Sequence, residues 1–294
     1  MQVNTGDELA KICISRNLTI WEYTLLEEVK RSGITREKVM DRMRRNLNVM
    51  KESAEYGLTH EVSSISGLIG KDAVKVYSYA KSGNSICGDF LLRAMARALS
   101  CAEVNSAMGK IVAAPTAGSC GILPAVIISL GEKYKKSEDE LIKALFTASG
   151  IGIIIAKNAT LAGAEGGCQA ECGSAAAMAA GAAVEMMGGT VKQALDAAAI
   201  VIKNILGLVC DPIAGLVEIP CAKRNISGAV SALSTADLVL SGVASRVPFD
   251  DCVSAMYKIG QDMPCQLKET ALGGLAVTKT GLRLRDLVKA SAEK

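Results

Sequence analysis

The stretch from Gly163 to Ala199 consists mainly of alanine and glycine, and it constrains the fold of this chain more than any other segment. Helices with such small side chains can pack with their backbones unusually close together. Runs of alternating apolar and polar residues between hairpin turns are scarce, which leaves little of the chain for a sheet. The sequence therefore predicts a mainly α fold, with many helices in one compact unit.

The helical patterns divide the chain into a short N-terminal region and a long core. Residues 5–56 carry the pattern of two or three amphipathic helices, and a serine- and glycine-rich break follows at 57–70. Because no disordered linker is visible, we expect a single domain over 1–294. Its N-terminal helical region is 1–60 and its core is 61–294.

Further helices are predicted along the core from hydrophobic spacing and capping residues. They cover residues 72–81, 86–108, 122–134, 137–156, 174–187, 190–205, 227–243, 248–259 and 264–270. Ser137 is followed by Glu140 in a capping-box pattern, and Thr190 is a second expected N-cap. Residues 113–121 and 163–167 are predicted loops.

Composition excludes several classes of protein. With 33 basic and 30 acidic residues and 3% aromatic residues, nucleic-acid binding is not expected. Residues 111–130 carry no charge, but their prolines and glycines favour a loop and a buried helix over a membrane span. The N-terminus lacks a signal-peptide pattern, so we expect a cytoplasmic protein with reduced cysteines.

Three cysteines in glycine- and proline-rich surroundings are candidate metal ligands: Cys168, Cys210 and Cys221. They are 42 and 11 residues apart and form no C-x-x-C pair, which excludes compact zinc and ferredoxin motifs. On spacing alone, scattered buried cysteines remain an alternative. Cys172 lies one helical turn from Cys168 and could compete as a ligand. The cysteines assigned instead to helix cores are Cys13, Cys101 and Cys252.

Four long motifs surround these cysteines and occur in one order. They are EVNSAMGKIVAAPTAGSCGILPA, KNATLAGAEGGCQAECGSAAAMAA, NILGLVCDPIAGLVEIPCAKRN and MYKIGQDMPCQLKETALGGLA. From Ser64 to Leu282 the chain closely resembles the α subunit of the two-subunit, iron–sulfur-dependent L-serine dehydratases, or L-serine ammonia-lyases.

The resemblance implies a cofactor, a reaction and a partner. It implies a [4Fe-4S] cluster held by loops through Cys168, Cys210 and Cys221, with Cys172 at a position that is usually apolar in the family. One iron without a protein ligand would act as a Lewis acid in the β-elimination of water from L-serine, giving pyruvate and ammonia. The family's β region carries a Ser-Ser-Ser-His-Thr-x-Gly-Pro motif, which is missing here. We therefore expect a separate β subunit and an oligomer.

The substrate-binding candidates surround a loop with free hydroxyl and N–H groups. Thr116, Gly118 and Ser119 precede a predicted helix start and suit a carboxylate, although an ordinary helix-capping loop would look similar. Asn158 could add a polar contact. Glu269 and Thr270 are further candidates, with a solvated helix end as their alternative.

The general base is not assigned by the sequence. His60 is the only histidine, but it lies in the serine-rich break, where a surface or capping role is the alternative. Lys71 is a second candidate, and a group from the β subunit is a third. Lys71 stands where the resembling family usually has glycine, so a positive φ there would strain the loop.

Other functions remain open at this stage. A related iron–sulfur L-cysteine desulfidase would use the same elimination with sulfide leaving, and a non-catalytic helical scaffold subunit would need no cluster. A pyridoxal-phosphate dehydratase is not supported, because neither its S-x-K-x-R-like lysine pattern nor an α/β pattern is present. The sequence does not decide between serine, threonine and cysteine as substrate.

Overall fold

The computed structural model describes residues 3–292, and thirteen α-helices make up most of that part of the chain. The helices are α1 (Gly6–Arg16), α2 (Ile20–Ser32), α3 (Arg36–Thr59), α4 (Asp72–Ala80), α5 (Gly88–Ser106), α6 (Ile122–Tyr134), α7 (Glu138–Asn158), α8 (Gly163–Gly166), α9 (Ser174–Met186), α10 (Val191–Asn204), α11 (Cys221–Leu240), α12 (Phe249–Asp262) and α13 (Lys279–Ala292). Within residues 3–292 no strand forms, and only two isolated bridges occur. The predicted mainly α class is confirmed.

Helix α9 lies at the centre of the core and explains the alanine- and glycine-rich stretch. It packs against α6, α7, α10 and α11, and its residues from Ser174 to Val184 are all buried. A Cβ atom added to Gly181 would overlap Ile151 on α7 and come within 3.1 Å of the Ala194 carbonyl oxygen on α10. The close approach of three helices therefore requires a hydrogen atom in place of a side chain at this position.

Local capping signals set several helix ends as predicted. The Ser137 and Thr190 side chains accept hydrogen bonds from the N–H groups three residues later, and both form complete capping boxes. Thr5 caps α1 in the same way. Asn17 ends α1 in the left-handed conformation, and Thr19 caps α2.

Other boundaries differ from the sequence prediction. Helix α3 continues to Thr59, through the start of the predicted break. Helix α11 begins at Cys221 rather than at residue 227, because Pro220 breaks the backbone pattern and its carbonyl accepts the first helical N–H groups. Residues 163–166, predicted as a loop, form one helical turn.

The C-terminal end of the chain was the least well predicted. Only Cys265–Leu267 forms a short 3-10 turn within the helix predicted at 264–270. Helix α13 was not predicted, although Leu284, Leu287 and Val288 stand at helical spacing, and it is mostly exposed. Among the helices of the described chain, none has the length and apolar character needed to cross a bilayer.

The N-terminal helices pack on the core through a buried carboxylate. Glu185 at the end of α9 accepts the Ile20 and Trp21 N–H groups at 2.7 and 3.1 Å, and the Thr147 hydroxyl at 2.5 Å. Burial raises the pKa of Glu185, and these three donors oppose the rise. One side chain thus caps α2 and joins it to α7 and α9.

Removal of the Glu185 carboxylate is expected to destabilise the fold. In Glu185→Ala two N–H groups of α2 and a buried hydroxyl lose their acceptor, so the free energy of unfolding should fall by roughly 2 to 4 kcal/mol. Glu185→Gln keeps an acceptor and should lose less than half as much. Urea unfolding followed by circular dichroism measures both, and equal losses would show that the capping hydrogen bonds are not the cause.

Candidate functional site

The three candidate cysteines are buried, at 1%, 2% and 6% exposure for Cys168, Cys210 and Cys221. Cys168 comes directly before a π-helical turn at Gln169–Gly173, and Cys221 is the first residue of α11. Cys210 lies in an extended segment that forms an isolated parallel bridge with Lys268. Each cysteine therefore stands at an end of regular structure, close to the loop setting that its neighbours in sequence predicted.

The fold brings these cysteines into one electrostatic environment. Burial raises the pKa of Cys210 well above its usual value, and the charge of Cys168 adds to the rise. Burial also raises the pKa of Cys221 to about 12, again with Cys168 as the next contribution. The backbone supports this arrangement, because the Gln169 N–H donates to the Leu208 carbonyl oxygen at 3.0 Å.

Cys172 shares this environment. Its hydrogen bond with Cys168 is the largest influence that lowers the pKa of Cys168, and the positive charge of Arg224 acts in the same direction against burial. The pKa of Cys172 itself is raised well above its usual value, first by that hydrogen bond and then by burial. Cys172 is therefore the protonated neighbour of the more acidic Cys168.

The chemistry of the donor set can be compared with that of an iron–sulfur site. Within residues 3–292 no group of three His, Cys, Asp or Glu side chains is arranged to hold a single metal ion. Soft thiolates are the ligands that iron–sulfur cores take. Three buried thiols from three segments therefore fit the chemistry of an iron–sulfur cluster.

The predicted substrate loop holds a carboxylate of the protein itself. The Thr116 hydroxyl donates to Glu171 and lies 3.1 Å from the Ser119 hydroxyl. A Cβ atom at Gly118 would overlap the same carboxylate. Glu171 lies in the π-helical turn between Cys168 and Cys172, and only 9% of it is exposed. In this structure the loop therefore contacts the carboxylate of Glu171, and its predicted binding of a substrate carboxylate stays a prediction.

Glu269 is a second carboxylate near Gly163, where Glu171 also lies. The bridge holds its backbone, since the Glu269 N–H donates to the Cys210 carbonyl at 2.7 Å, and its φ is 64°. A Cβ atom at Gly163 would lie 3.1 Å from Cys210 Sγ, 3.3 Å from Glu269 Oε2 and 3.4 Å from Glu171 Oε2. Burial raises the pKa of Glu171, and the charge of Glu269 adds to that rise. Two carboxylates and one thiol therefore surround the space beside Gly163.

Asn225 connects the substrate loop to the cysteine on α11. Its amide NH₂ group donates to the Gly118 carbonyl at 2.7 Å and to the Cys221 carbonyl at 2.9 Å. Its amide oxygen accepts the Gly121 N–H at 2.8 Å. Neither Asn225 nor Glu171 was predicted. A carboxylate within an alanine- and glycine-rich segment was the available signal for Glu171, and no comparable signal marked Asn225.

Three of the predicted site residues have their observed contacts elsewhere. The Asn158 amide, at the end of α7, donates to the Asn4 and Ile154 carbonyls at 2.7 and 2.8 Å. His60 is exposed, with its ring stacked on Tyr56 at a centroid distance of 4.4 Å. Thr270 is exposed and donates to the Cys265 carbonyl at 3.1 Å. These contacts are those of helix ends and surface turns.

Lys71, the other candidate for the general base, lies at the N-cap of α4. Its φ is 60°, so the strain expected from a side chain at a glycine position is present, and its ammonium pairs with the exposed Glu61 at 2.8 Å. It lines a groove together with Pro220 and Lys223, which flank Cys221 in sequence. The ion pair with Glu61 raises the pKa of Lys71, which keeps it protonated.

Comparison with known proteins agrees with these features. A family model described as serine dehydratase alpha chain matches residues 15–276. A Peptoniphilus asaccharolyticus protein named L-serine dehydratase, alpha chain, is 52% identical over 283 residues, which cover 96% of this chain and 97% of that protein. A Bacillus subtilis protein named probable L-serine dehydratase, alpha chain, is 48% identical over 277 residues, covering 94% and 92%. The resemblance indicated by the four motifs is confirmed.

A longer relative is also similar. A Streptomyces coelicolor protein named L-serine dehydratase is 37% identical over 280 residues, which cover 93% of this chain but only 60% of that protein. The shared part is therefore one portion of a larger chain in that organism.

Proposed function

This chain belongs to the serine dehydratase alpha-chain family, and on that premise we propose that it is the α chain of an L-serine ammonia-lyase. The enzyme removes water from L-serine and yields pyruvate and ammonia. The observation that carries the proposal is the convergence of three buried cysteines with a hydroxyl-lined loop and two carboxylates. Such a site offers a thiol donor set beside groups that can hold both ends of an amino acid.

We propose that Cys168, Cys210 and Cys221 hold a [4Fe-4S] cluster. When bound, the cluster supplies a Lewis-acidic iron without a protein ligand, which assists departure of the β-hydroxyl group. Because burial raises the pKa of Cys210 and Cys221, these two thiols must release their protons when metal binds. All ten cysteines are free thiols in the structure, which suits the reducing cytoplasm in which we propose that the protein works.

The chain's own polar groups would orient the amino acid. Thr116, Gly118 and Ser119 suit the substrate carboxylate, because the Thr116 hydroxyl and the Gly118 backbone already interact with a carboxylate in this structure and the Ser119 hydroxyl lies beside that of Thr116. Glu171 and Glu269 repel each other beside Cys210, and an ammonium group placed near them would relieve that repulsion. Asn158 and Thr270, whose contacts lie elsewhere, stay predictions.

A separate β subunit is part of the proposal. Removing the α-proton requires a base, and His60 is a surface residue while Lys71 is held protonated by Glu61. The matching family model and the Peptoniphilus and Bacillus relatives carry the name alpha chain. The Streptomyces relative is longer than the part it shares with this chain. We therefore propose that the β chain supplies the base and completes an α–β oligomer.

An anaerobic reconstitution tests this function. The purified chain should contain iron and acid-labile sulfide, and with a β chain it should form pyruvate from L-serine. L-Cysteine and L-threonine, assayed in parallel, distinguish a desulfidase and a threonine enzyme from the proposed activity. Faster release of sulfide from L-cysteine than of pyruvate from L-serine would contradict the serine assignment. A well-folded chain without iron would instead identify a scaffold subunit.

A further inference from the structure

Arg224 contacts the segments on both sides of Cys210. It lies on α11, three residues after Cys221, and its side chain is 14% exposed. One guanidinium nitrogen donates to the Val209 carbonyl at 2.8 Å, and another donates to Asp211 Oδ1 at 2.8 Å. The planar fork of an arginine suits these two acceptors at once, which a lysine ammonium could not match in geometry.

The same guanidinium also interacts with the third cysteine. Its positive charge lowers the pKa of the Cys168 thiol. Arg224 therefore belongs to the helix that begins at Cys221, binds the backbone around Cys210 and acts electrostatically on Cys168.

The partner of Arg224 is itself held in place. Asp211 is 4% exposed in its side chain, and its second oxygen accepts the Leu275 N–H at 2.8 Å. A Cβ atom at Gly274 would overlap this carboxylate, so the backbone of the Gly273–Val277 segment closes directly over it. A buried pair with fixed positions on both sides is suited to set distances between the segments it joins.

The positive charge of Arg224 also suits the net negative charge of a cluster bound by the three cysteine thiolates. Three thiolates bring more negative charge than a doubly positive four-iron core neutralises, and a buried excess of negative charge is unfavourable without a nearby cation. Glu171 and Glu269 add further negative charge near the cysteines. Arg224 is a buried cation that opposes this charge at Cys168 and Cys221.

We propose that Arg224 is a positioning residue for the iron–sulfur cluster. It holds the segments of Cys210 and Cys221 at a fixed separation and offsets the negative charge of the thiolate-bound cluster, to which Cys168 also contributes. This inference rests on the proposed function, because it assumes that the three cysteines bind the cluster. It adds a role for a residue that does not itself coordinate iron.

The test compares cluster retention in Arg224 variants with the parent chain. Arg224→Gln and Arg224→Lys are purified anaerobically, and iron, acid-labile sulfide and the loss of cluster absorbance under an iron chelator are measured. Second-sphere groups typically change metal affinity by about 10- to 100-fold, so Arg224→Gln should lose the cluster at least about tenfold faster. Arg224→Lys keeps the charge without the fork and should fall between the parent and Arg224→Gln.

Arg97→Gln is the matched control. Arg97 is also a buried arginine, and it joins Glu55, Ser129 and Glu132 away from the cysteine segments. Its replacement should lower the melting temperature without faster cluster loss. If Arg224→Gln does not fold by circular dichroism, Arg224→Lys carries the comparison. Equal cluster retention in the parent and the folded Arg224 variants would overturn this inference and leave the proposed function intact, whereas an iron-free parent chain would overturn both.

Discussion

Serine in place of Cys168, Cys210 or Cys221 is expected to abolish iron binding and pyruvate formation together. A serine hydroxyl is a poor ligand for a core that takes soft thiolates. Anaerobically purified parent protein should contain about four irons per chain, and each variant close to none. Because a Lewis-acidic metal contributes several kcal/mol to the transition state, activity should fall by at least about 1,000-fold.

Cys172→Ser provides the matched control for these variants. Cys172 lies in the same turn as Cys168, is equally buried and hydrogen-bonds with it, so a nonspecific effect of polarity would appear there too. We expect Cys172→Ser to keep its iron and most of its activity. Iron loss in Cys172→Ser, or iron retention in Cys210→Ser, would contradict the proposed ligand set.

The second large effect is expected at Glu171. Its carboxylate accepts the Thr116 hydroxyl and lies against Gly118, so it fixes the loop proposed to receive the substrate. In Glu171→Gln the negative charge beside Cys210 is lost and the loop contact is weakened. Misplacing a substrate-binding group by about 1 Å can cost roughly 100-fold in rate, and we expect a loss in kcat/KM of at least that size.

Iron analysis separates this effect from damage to the cluster. Glu171→Gln should bind as much iron as the parent protein, because the carboxylate is not among the proposed ligands. Glu165→Gln is the control: Glu165 lies in the neighbouring turn, is exposed and interacts with Thr160. Its replacement should change kcat/KM by less than about threefold, because removing a solvent-exposed charge has little energetic effect. Similar losses in both variants would argue against a specific role for Glu171.

Local features of the sequence predicted most of the helices. Ser137 and Thr190 carry their capping partners three residues away, so short-range hydrogen bonds alone mark those helix starts. The alanine- and glycine-rich segment indicated close helix packing. The structure shows it at Gly181, where α7 and α10 leave no room for a side chain. Helix α13 was missed although its apolar residues recur at helical spacing, and it is mostly exposed.

The candidate site was predicted less completely, for a physical reason. The cysteines were identifiable from their glycine and proline neighbours and from the family motifs, and the possible strain at Lys71 was identifiable from a missing glycine. Glu171, Arg224 and Asn225 act through contacts with residues 13 to 107 positions away. Sequence spacing does not say which side chains meet across such distances, so these contacts needed the folded chain.

Asn225 gives the site a common frame of reference. Its side-chain amide donates to the Cys221 carbonyl at the start of α11 and to the Gly118 carbonyl in the loop before α6. The amide oxygen accepts the Gly121 N–H. An acid lacks the donors and an aliphatic side chain lacks both functions, so the task suits an amide alone. A displacement of the head of α11 would therefore move the backbone at Gly118 and Gly121 with it. The proposed cluster ligand Cys221 and the proposed substrate loop are in this way coupled through one side chain.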